Sequence, residues 1–349
     1  MGDRLILALD GSTRVCGAAL LRPRPVGAGG RPGGGAWDVM ARRTDVDGRS
    51  QAKVLLSLID EMLEELGSTP QELGAIVVGT GPGTFTGVRI TVATGRALSL
   101  ALGRPVVGVS TLGALAAGGA ALAAGGAMPA PGVAQGTEPA GVAGAATQVV
   151  RPASDMGPPY LIVPVIDARR AQVFYGLYEA AVGVGAGAAG EERAERRYAR
   201  SAPFGVCDKE TLAAVVSEAE AGADRRVLVV AEERALVGDL PPRTAFAAAE
   251  VEPERLVTGQ EWLDEAGEGP QGWRLTPWLL ERLGGPGQAP PGSAGPALGR
   301  AGEVGTPEAV RPIYVRSPDA DIHITKMKDP WAATSSGRRA GPGGGAGRP

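Results

Sequence analysis

The residues that most often carry chemistry are scarce in this chain. Among 349 residues there is one histidine, His323, and there are two cysteines, Cys16 and Cys207. A histidine-ligated iron or zinc site usually begins with two imidazoles on one helix face, and one histidine cannot supply them. A serine–histidine–carboxylate arrangement would have to draw His323 in from a polar C-terminal segment. A lone histidine in such a segment reads as a solvated side chain. Cys16 lies in the apolar run 15–21, where a thiol behaves as a small inert hydrophobe. No nucleophile paired with a base is legible, so the sequence assigns no catalytic residue and no metal ligand.

Two polar turns remain. Asp10-Gly11-Ser12-Thr13 follows the apolar run 5–9. Small residues there would let backbone N–H groups approach phosphates and Asp10 could hold Mg²⁺, which makes Asp10, Ser12 and Thr13 candidate cofactor-binding residues. The same four residues also suit a plain hairpin turn. Gly79 to Arg89 (Gly-Thr-Gly-Pro-Gly-Thr-Phe-Thr-Gly-Val-Arg) sits between an apolar run and a helical pattern. A glycine-rich strand-to-helix turn can cradle an anion on free helix N–H groups. It is not a P-loop, since no Gly-Lys-Ser/Thr follows, and it lacks the dinucleotide-binding glycine spacing. The alternative is a tight turn that lets the helix pack close to a sheet or a partner. A third feature is Asp167-Ala168-Arg169-Arg170, where two adjacent arginines end a strand pattern. Arg169 and Arg170 are awkward as core and suit ligand-facing or interdomain donors, or a solvated turn.

The elements that would position these residues follow from periodicity. Leu5–Leu9 and Val15–Leu21 read as a hairpin, with a third strand over Trp37–Arg43. Ser50 precedes a 3.6-residue apolar stripe of Val54, Leu55, Leu58, Ile59, Met62, Leu63 and Leu66, closed by Gly67. Thr69-Pro70-Gln71-Glu72 has the form of a capping box with proline at the first position. A buried strand over Ala75–Gly79 precedes the glycine-rich turn. The following helix runs to about Leu102 and is stopped by Gly103 and Pro105. A strand at Val106–Val109 and an Ala-rich helix from Ser110 complete this half. From Tyr160 a shorter echo begins: strands over Leu161–Ile166 and Gln172–Tyr178, a helix from Asp208 to about Glu220, a strand at Val227–Ala231 and a last strand-like segment at Val310–Val315.

Gly 55 and Pro 29 are high counts, and aromatics are only 4%. The excess gathers in stretches without periodicity, read as disordered Gly/Ala/Pro-rich inserts. The expected organisation is an N-terminal domain over 1–117 and an insert over 118–158. A C-terminal domain over 159–325 follows, with inserts near 181–200 and 284–306, and then a tail over 326–349. The fold class is α/β, built from two related domains with mixed sheets; a doubly wound α/β sheet is the competing arrangement. A net charge of −3 offers no global basic excess to hold a nucleic-acid backbone unaided. No segment reads as a membrane span, and two unpatterned cysteines point to a reducing cytoplasm.

Several stretches together resemble the TsaB family: Ile6-Leu7-Ala8-Leu9-Asp10-Gly11-Ser12-Thr13, Gly81-Pro82-Gly83-Thr84-Phe85-Thr86-Gly87-Val88-Arg89, Pro105-Val106-Val107-Gly108-Val109-Ser110-Thr111-Leu112, Ile166-Asp167-Ala168-Arg169-Arg170 and Arg311-Pro312-Ile313-Tyr314-Val315-Arg316. The resemblance implies an actin/hexokinase-like fold without the catalytic metal site and without a cofactor of its own. It implies a non-catalytic subunit needed for threonylcarbamoyladenosine formation in tRNA, paired with the catalytic paralogue TsaD and joined by the ATPase TsaE. Alone the chain would homodimerise, and tRNA would be reached only through the complex. The partner interface would lie on the helices near 50–66 and 85–102, with Val54, Leu58, Met62, Val88, Val92 and Gly95 as candidate residues. Many relatives have Asp-Thr-Ser at the first turn where this chain has Asp10-Gly11-Ser12. The alternative is an ATP-dependent small-molecule kinase of the same fold. It would want glycines where Arg169 and Arg170 stand.

Overall fold

The computed structural model describes residues 5–23, 37–46, 51–123, 160–186, 192–221, 226–241, 244–259 and 305–315. The first half runs β1 (Leu5–Asp10), β2 (Cys16–Pro23), β3 (Trp37–Asp45), α1 (Gln51–Glu65), β4 (Leu73–Gly79), α2 (Phe85–Leu102), β5 (Val106–Val109) and α3 (Thr111–Ala123). The second runs β6 (Tyr160–Arg169), β7 (Gln172–Tyr175), β8 (Tyr178–Ala186), β9 (Glu192–Arg200), β10 (Gly205–Asp208), α4 (Lys209–Ala221), β11 (Arg226–Ala231), β12 (Ala245–Ala248) and α5 (Arg255–Thr258).

The two sheets repeat one another. The first has the order β3-β2-β1-β4-β5, with β1–β2 and β2–β3 antiparallel and β1–β4 and β4–β5 parallel. The second follows the same path as β10-β7-β6-β11-β12, with the same sequence of antiparallel and parallel pairings. α4 occupies the chain position of α1. Between β11 and β12 the described residues hold one turn of 3-10 helix, Arg234–Leu236, where the first half has the 18-residue α2. The described halves thus differ in α2 and in β8 and β9, which lie off the common path and bring the second sheet to seven strands.

Layering explains the strand compositions. β1 is buried along its whole length because both faces are covered, which suits a continuous apolar run. Leu5, Leu7 and Leu9 face the cluster made with α1 and α2. Ile6 and Ala8 face the other side, with Ala114 of α3 and Leu256 and Val257 of α5. Other residues of α3, Leu112, Leu115, Ala116 and Ala120, pack on Ile162, Leu228 and Val230 of the second sheet. α4 covers that sheet's far face through Leu212 and Val216. Helix ends follow their sequence signals. Gly103 closes α2 at φ 61, a left-handed value glycine adopts without Cβ strain. The Thr69 N–H donates to the Glu72 carboxylate at 2.8 Å, the reciprocal half of a capping box.

Several expectations are corrected. The stretch 181–200 is not a featureless insert among its described residues: β8 and β9 pair antiparallel from Tyr178↔Arg200 to Ala186↔Glu192. α3 extends to Ala123, past the expected boundary at 117. Residues 310–315 do not form a strand. They lie with the first sheet rather than with a second domain: Val106 N–H donates to Gly305 O at 3.0 Å, Ile313 N–H to Thr80 O at 2.8 Å, and Val310 enters the α1–α2 core. α5 likewise packs on the first sheet through Leu256 and Val257. All described residues fall in one unit ending at Val315. Ser50, His323, residues 284–304 of the insert near 284–306 and the tail over 326–349 lie outside the described residues.

Candidate functional site

The first polar turn folds onto three other elements. Asp10, at the end of β1, is 2% exposed. Its Oδ1 accepts the Ser12 N–H at 2.8 Å, and its Oδ2 accepts the Thr111 hydroxyl at 2.8 Å, from the first residue of α3. The Ser12 and Thr111 hydroxyls are 2.9 Å apart, and the Gly81 N–H donates to Thr111 Oγ1 at 3.1 Å. Burial pushes the Asp10 carboxyl up from 3.8 to about 6, and the hydrogen bonds from Ser12 and Thr111 only partly oppose it. The glycine-rich turn closes over this cluster. Thr84 N–H donates to Ser12 O at 2.7 Å. A Cβ at Gly83 would lie 2.2 Å from Ser12 O, and one at Gly79 would lie 1.7 Å from Asp10 Oδ2. The glycine-rich loop is therefore seated directly on Ser12. Of the candidate cofactor residues, Asp10 and Ser12 are buried in this joint, and Thr13 is buried beside it with its hydroxyl accepting the Val15 N–H at 3.2 Å. Thr111 was not singled out from sequence; its contact spans 101 residues.

The helices α1 and α2 present two different faces. Met62, Val88 and Val92 are fully or nearly fully buried in this chain's own core, and Leu58 sits at its margin. A Cβ at Gly95 would lie 2.3 Å from Val78 Cγ1, so Gly95 serves close packing of α2 on β4. Val54 is half-buried against the same core. These six candidate interface positions therefore pack inward, because an apolar stripe faces the first sheet that can cover it. The outward surface is carried by Leu56 (48% exposed), Phe85 (39%), Ala93, Ala97 and Leu100 (64%). At the start of α2 the Arg89 guanidinium carbon lies 3.6 Å from the Phe85 ring centroid, and its Nε donates to the Tyr314 hydroxyl at 2.9 Å. This ties the segment 305–315 to the helix.

Arg169 and Arg170 occupy the exposed β6–β7 turn with Ala171, all three at positive φ (63, 57 and 58°). Asp167 shapes the turn: its Oδ1 accepts the Arg169 N–H at 2.8 Å, and its Oδ2 lies 3.3 Å from the Arg169 guanidinium. Left-handed backbone at non-glycine residues is costly and marks a turn held by its surroundings. This turn is the second-sheet counterpart of Asp10–Arg14, yet no loop closes over it among the described residues. Those residues also contain no group of three or more His, Cys, Asp or Glu that could hold a metal ion. No helix of the described residues is long and apolar enough to cross a membrane.

An α/β chain of two similar sheets, with its first turn covered by a glycine-rich loop and with exposed apolar residues on one helix face, is what the geometry defines. The chain is related to proteins named TsaB. Residues 46–135 match the family model described as "TsaD: tRNA N6-adenosine threonylcarbamoyltransferase". Relatives named "tRNA threonylcarbamoyladenosine biosynthesis protein TsaB" include those of Escherichia coli and Bacillus subtilis. The first is 31% identical over 32% of this chain and 43% of its own length, the second 29% identical over 50% and 55%. The chain thus matches about half the length of these curated relatives. A solved structure from Pseudomonas aeruginosa, described as an uncharacterized protein with similarity to the peptidase YeaZ, covers 90% of this chain and 100% of its own at 24% identity, with a TM-score of 0.49.

Proposed function

We propose that this chain is a non-catalytic subunit in the formation of threonylcarbamoyladenosine in tRNA, acting by docking on a TsaD-type catalytic paralogue. The pathway comes from what the TsaB relatives are named for. The role is read from one observation, the outward face of α2, where Phe85, Ala93, Ala97 and Leu100 are exposed while Val88 and Val92 of the same helix are buried. Small residues at Ala93 and Ala97 allow a partner helix to approach closely. Two helices from each subunit would bury roughly 1,200–2,000 Å², the usual size for a specific complex. The repeated sheet topology supports an actin/hexokinase-like framework. A TsaE-type ATPase completes the assembly, tRNA is bound through the complex, the chain alone pairs with itself, and the setting is cytoplasmic.

The test is reconstitution. The chain and its cognate TsaD-type protein are expected to co-purify, and tRNA modification is expected only when both are present. Threonylcarbamoyl transfer by this chain alone, or full modification by the partner without it, would overturn the reading.

The β6–β7 turn carries a second prediction. The Arg169→Ala/Arg170→Ala variant is expected to keep its stability within about 0.5 kcal/mol, since both side chains are exposed surface groups. It is expected to lower modification in the reconstituted assay at least about tenfold, as the loss of guanidinium donors from a functional contact would. Unchanged modification would leave the turn a solvated hairpin.

A further inference from the structure

The chain returns from the second sheet to the first through residues 249–259. This crossover has an apolar anchor at each end: Val251 lies in the core of the second sheet, and Leu256 and Val257 lie against the first with Trp37, Ala75 and Val77. Between the anchors stands Glu252-Pro253-Glu254-Arg255. Arg42 of β3 places Nη1 2.8 Å from Glu252 Oε1 and 2.9 Å from Glu254 Oε1. Arg255 Nε lies 3.1 Å from Glu252 Oε2. Glu254 and Arg255 are each 6% exposed. The other oxygen of Glu254, Oε2, is buried without a hydrogen-bond partner.

We propose that this quartet makes the crossover a low-threshold latch, which detaches from β3 before either sheet unfolds and is held most tightly when Glu254 carries a proton. A carboxylate buried with one oxygen unsatisfied is a costly group, whatever its other oxygen gains from Arg42. The charged groups facing Glu254 are Arg42 from β3 and Glu252 and Arg255 from its own segment. The sequences of β4 and α3, which also pack against α5, contain no ionisable residue. Burial pushes the Glu254 carboxyl up, with Arg42 opposing and Glu252 adding to the rise. The docked latch therefore takes up a proton more readily than the released one, and linkage makes docking tighter as the pH falls. An ordinary surface ion pair would behave in the opposite sense, weakening in acid. Release would free the second sheet from the β3 edge while α3 still joins the sheets. A second charged crossing, Arg14 to Glu233, is exposed and holds little.

Hydrogen exchange of the full chain, corrected for intrinsic rates and followed at about pH 4.5, the ordinary value of the Glu254 carboxyl, and at about pH 7, reads the latch directly. Residues 251–258 are expected to open more often at the higher pH, with peptides from β6 and β11 unchanged. Glu254→Gln is expected to hold 251–258 at the slow rate and to remove the pH difference. Arg42→Met, which strands two carboxylates, is expected to speed local opening roughly a hundredfold. Faster exchange of 251–258 at the lower pH would overturn the proposal. So would exchange of this segment only at the rate of the β1 and β6 cores, since it would then open only with the whole molecule.

Discussion

Ala97→Asp is expected to leave the chain's stability nearly unchanged and to abolish binding of a TsaD-type partner, whereas Val92→Asp, five residues away on the same helix, is expected to remove a large part of the fold's stability. Ala97 is exposed, so the substitution costs the monomer only the lower helix propensity of aspartate, about 0.7 kcal/mol. In the complex the same carboxylate would be desolvated with no cation provided for it, a penalty of about 3–5 kcal/mol, or more than roughly a hundredfold in affinity. Val92 is buried against β1 and β4, and a charge there meets that penalty inside the monomer, against a total stability of about 5–15 kcal/mol. Met62→Asp should behave like Val92→Asp, and Leu100→Asp like Ala97→Asp. Circular dichroism melts and co-purification separate the cases. A folded Ala97→Asp chain that still binds its partner would place the interface elsewhere. A Val92→Asp chain as stable as the native one would contradict the core as described.

The stripe on α1 was legible because burial imposes a 3.6-residue period on the sequence. Which surface covers the stripe was not: periodicity gives a buried face and is silent on whether sheet or partner buries it. Met62, Val88, Val92 and Gly95 thus read equally well as interface or core; the burial of the first three in the chain's own core and the closeness of Gly95 to Val78 decide. Composition misled at 192–200. The charged residues of Glu192–Arg200 fell within the stretch read as a disordered insert, but strand pairing with Tyr178–Ala186 is made by backbone groups that do not depend on side-chain type. At 310–315 the apolar content suggested a strand, while Pro312 has no N–H to give a ladder. The segment instead follows the first sheet through isolated bonds such as Ile313 to Thr80. The polar joint was half legible. Asp10 and Ser12 stood out by type and spacing. Thr111 could not, since nothing local at a helix start signals a carboxylate 101 residues earlier in the chain.

Asp10→Asn is expected to stabilise the chain at neutral pH and to remove one component of its pH dependence. The native carboxyl titrates near 3.8 when unfolded and at about 6 when folded, because burial disfavours its charge. The folded state therefore holds its proton over a range where the unfolded state has lost it. The contribution of Asp10 to stability is greatest below the unfolded value, declines as the pH rises through this window, and is fully lost above about pH 6. The whole swing is about 3 kcal/mol. Asparagine keeps an acceptor for the Ser12 N–H. Its new amide donor can be received by the Thr111 hydroxyl, which is free to turn toward Ser12. The stability difference between variant and native chain should thus grow between about pH 4 and about pH 7 and then level off. Denaturant titrations across that range measure it, and a flat difference would show that the carboxyl is not titrating in this window. The same experiment separates the partner-docking reading from the kinase alternative. If Asp10 held Mg²⁺ with a nucleotide, Mg-ATP would stabilise the ionised form, raise the melting temperature of the native chain at neutral pH, and leave the asparagine variant behind. With Gly83 seated on Ser12 and Thr84 bonded to its carbonyl, the expected result is no shift with Mg-ATP for either chain.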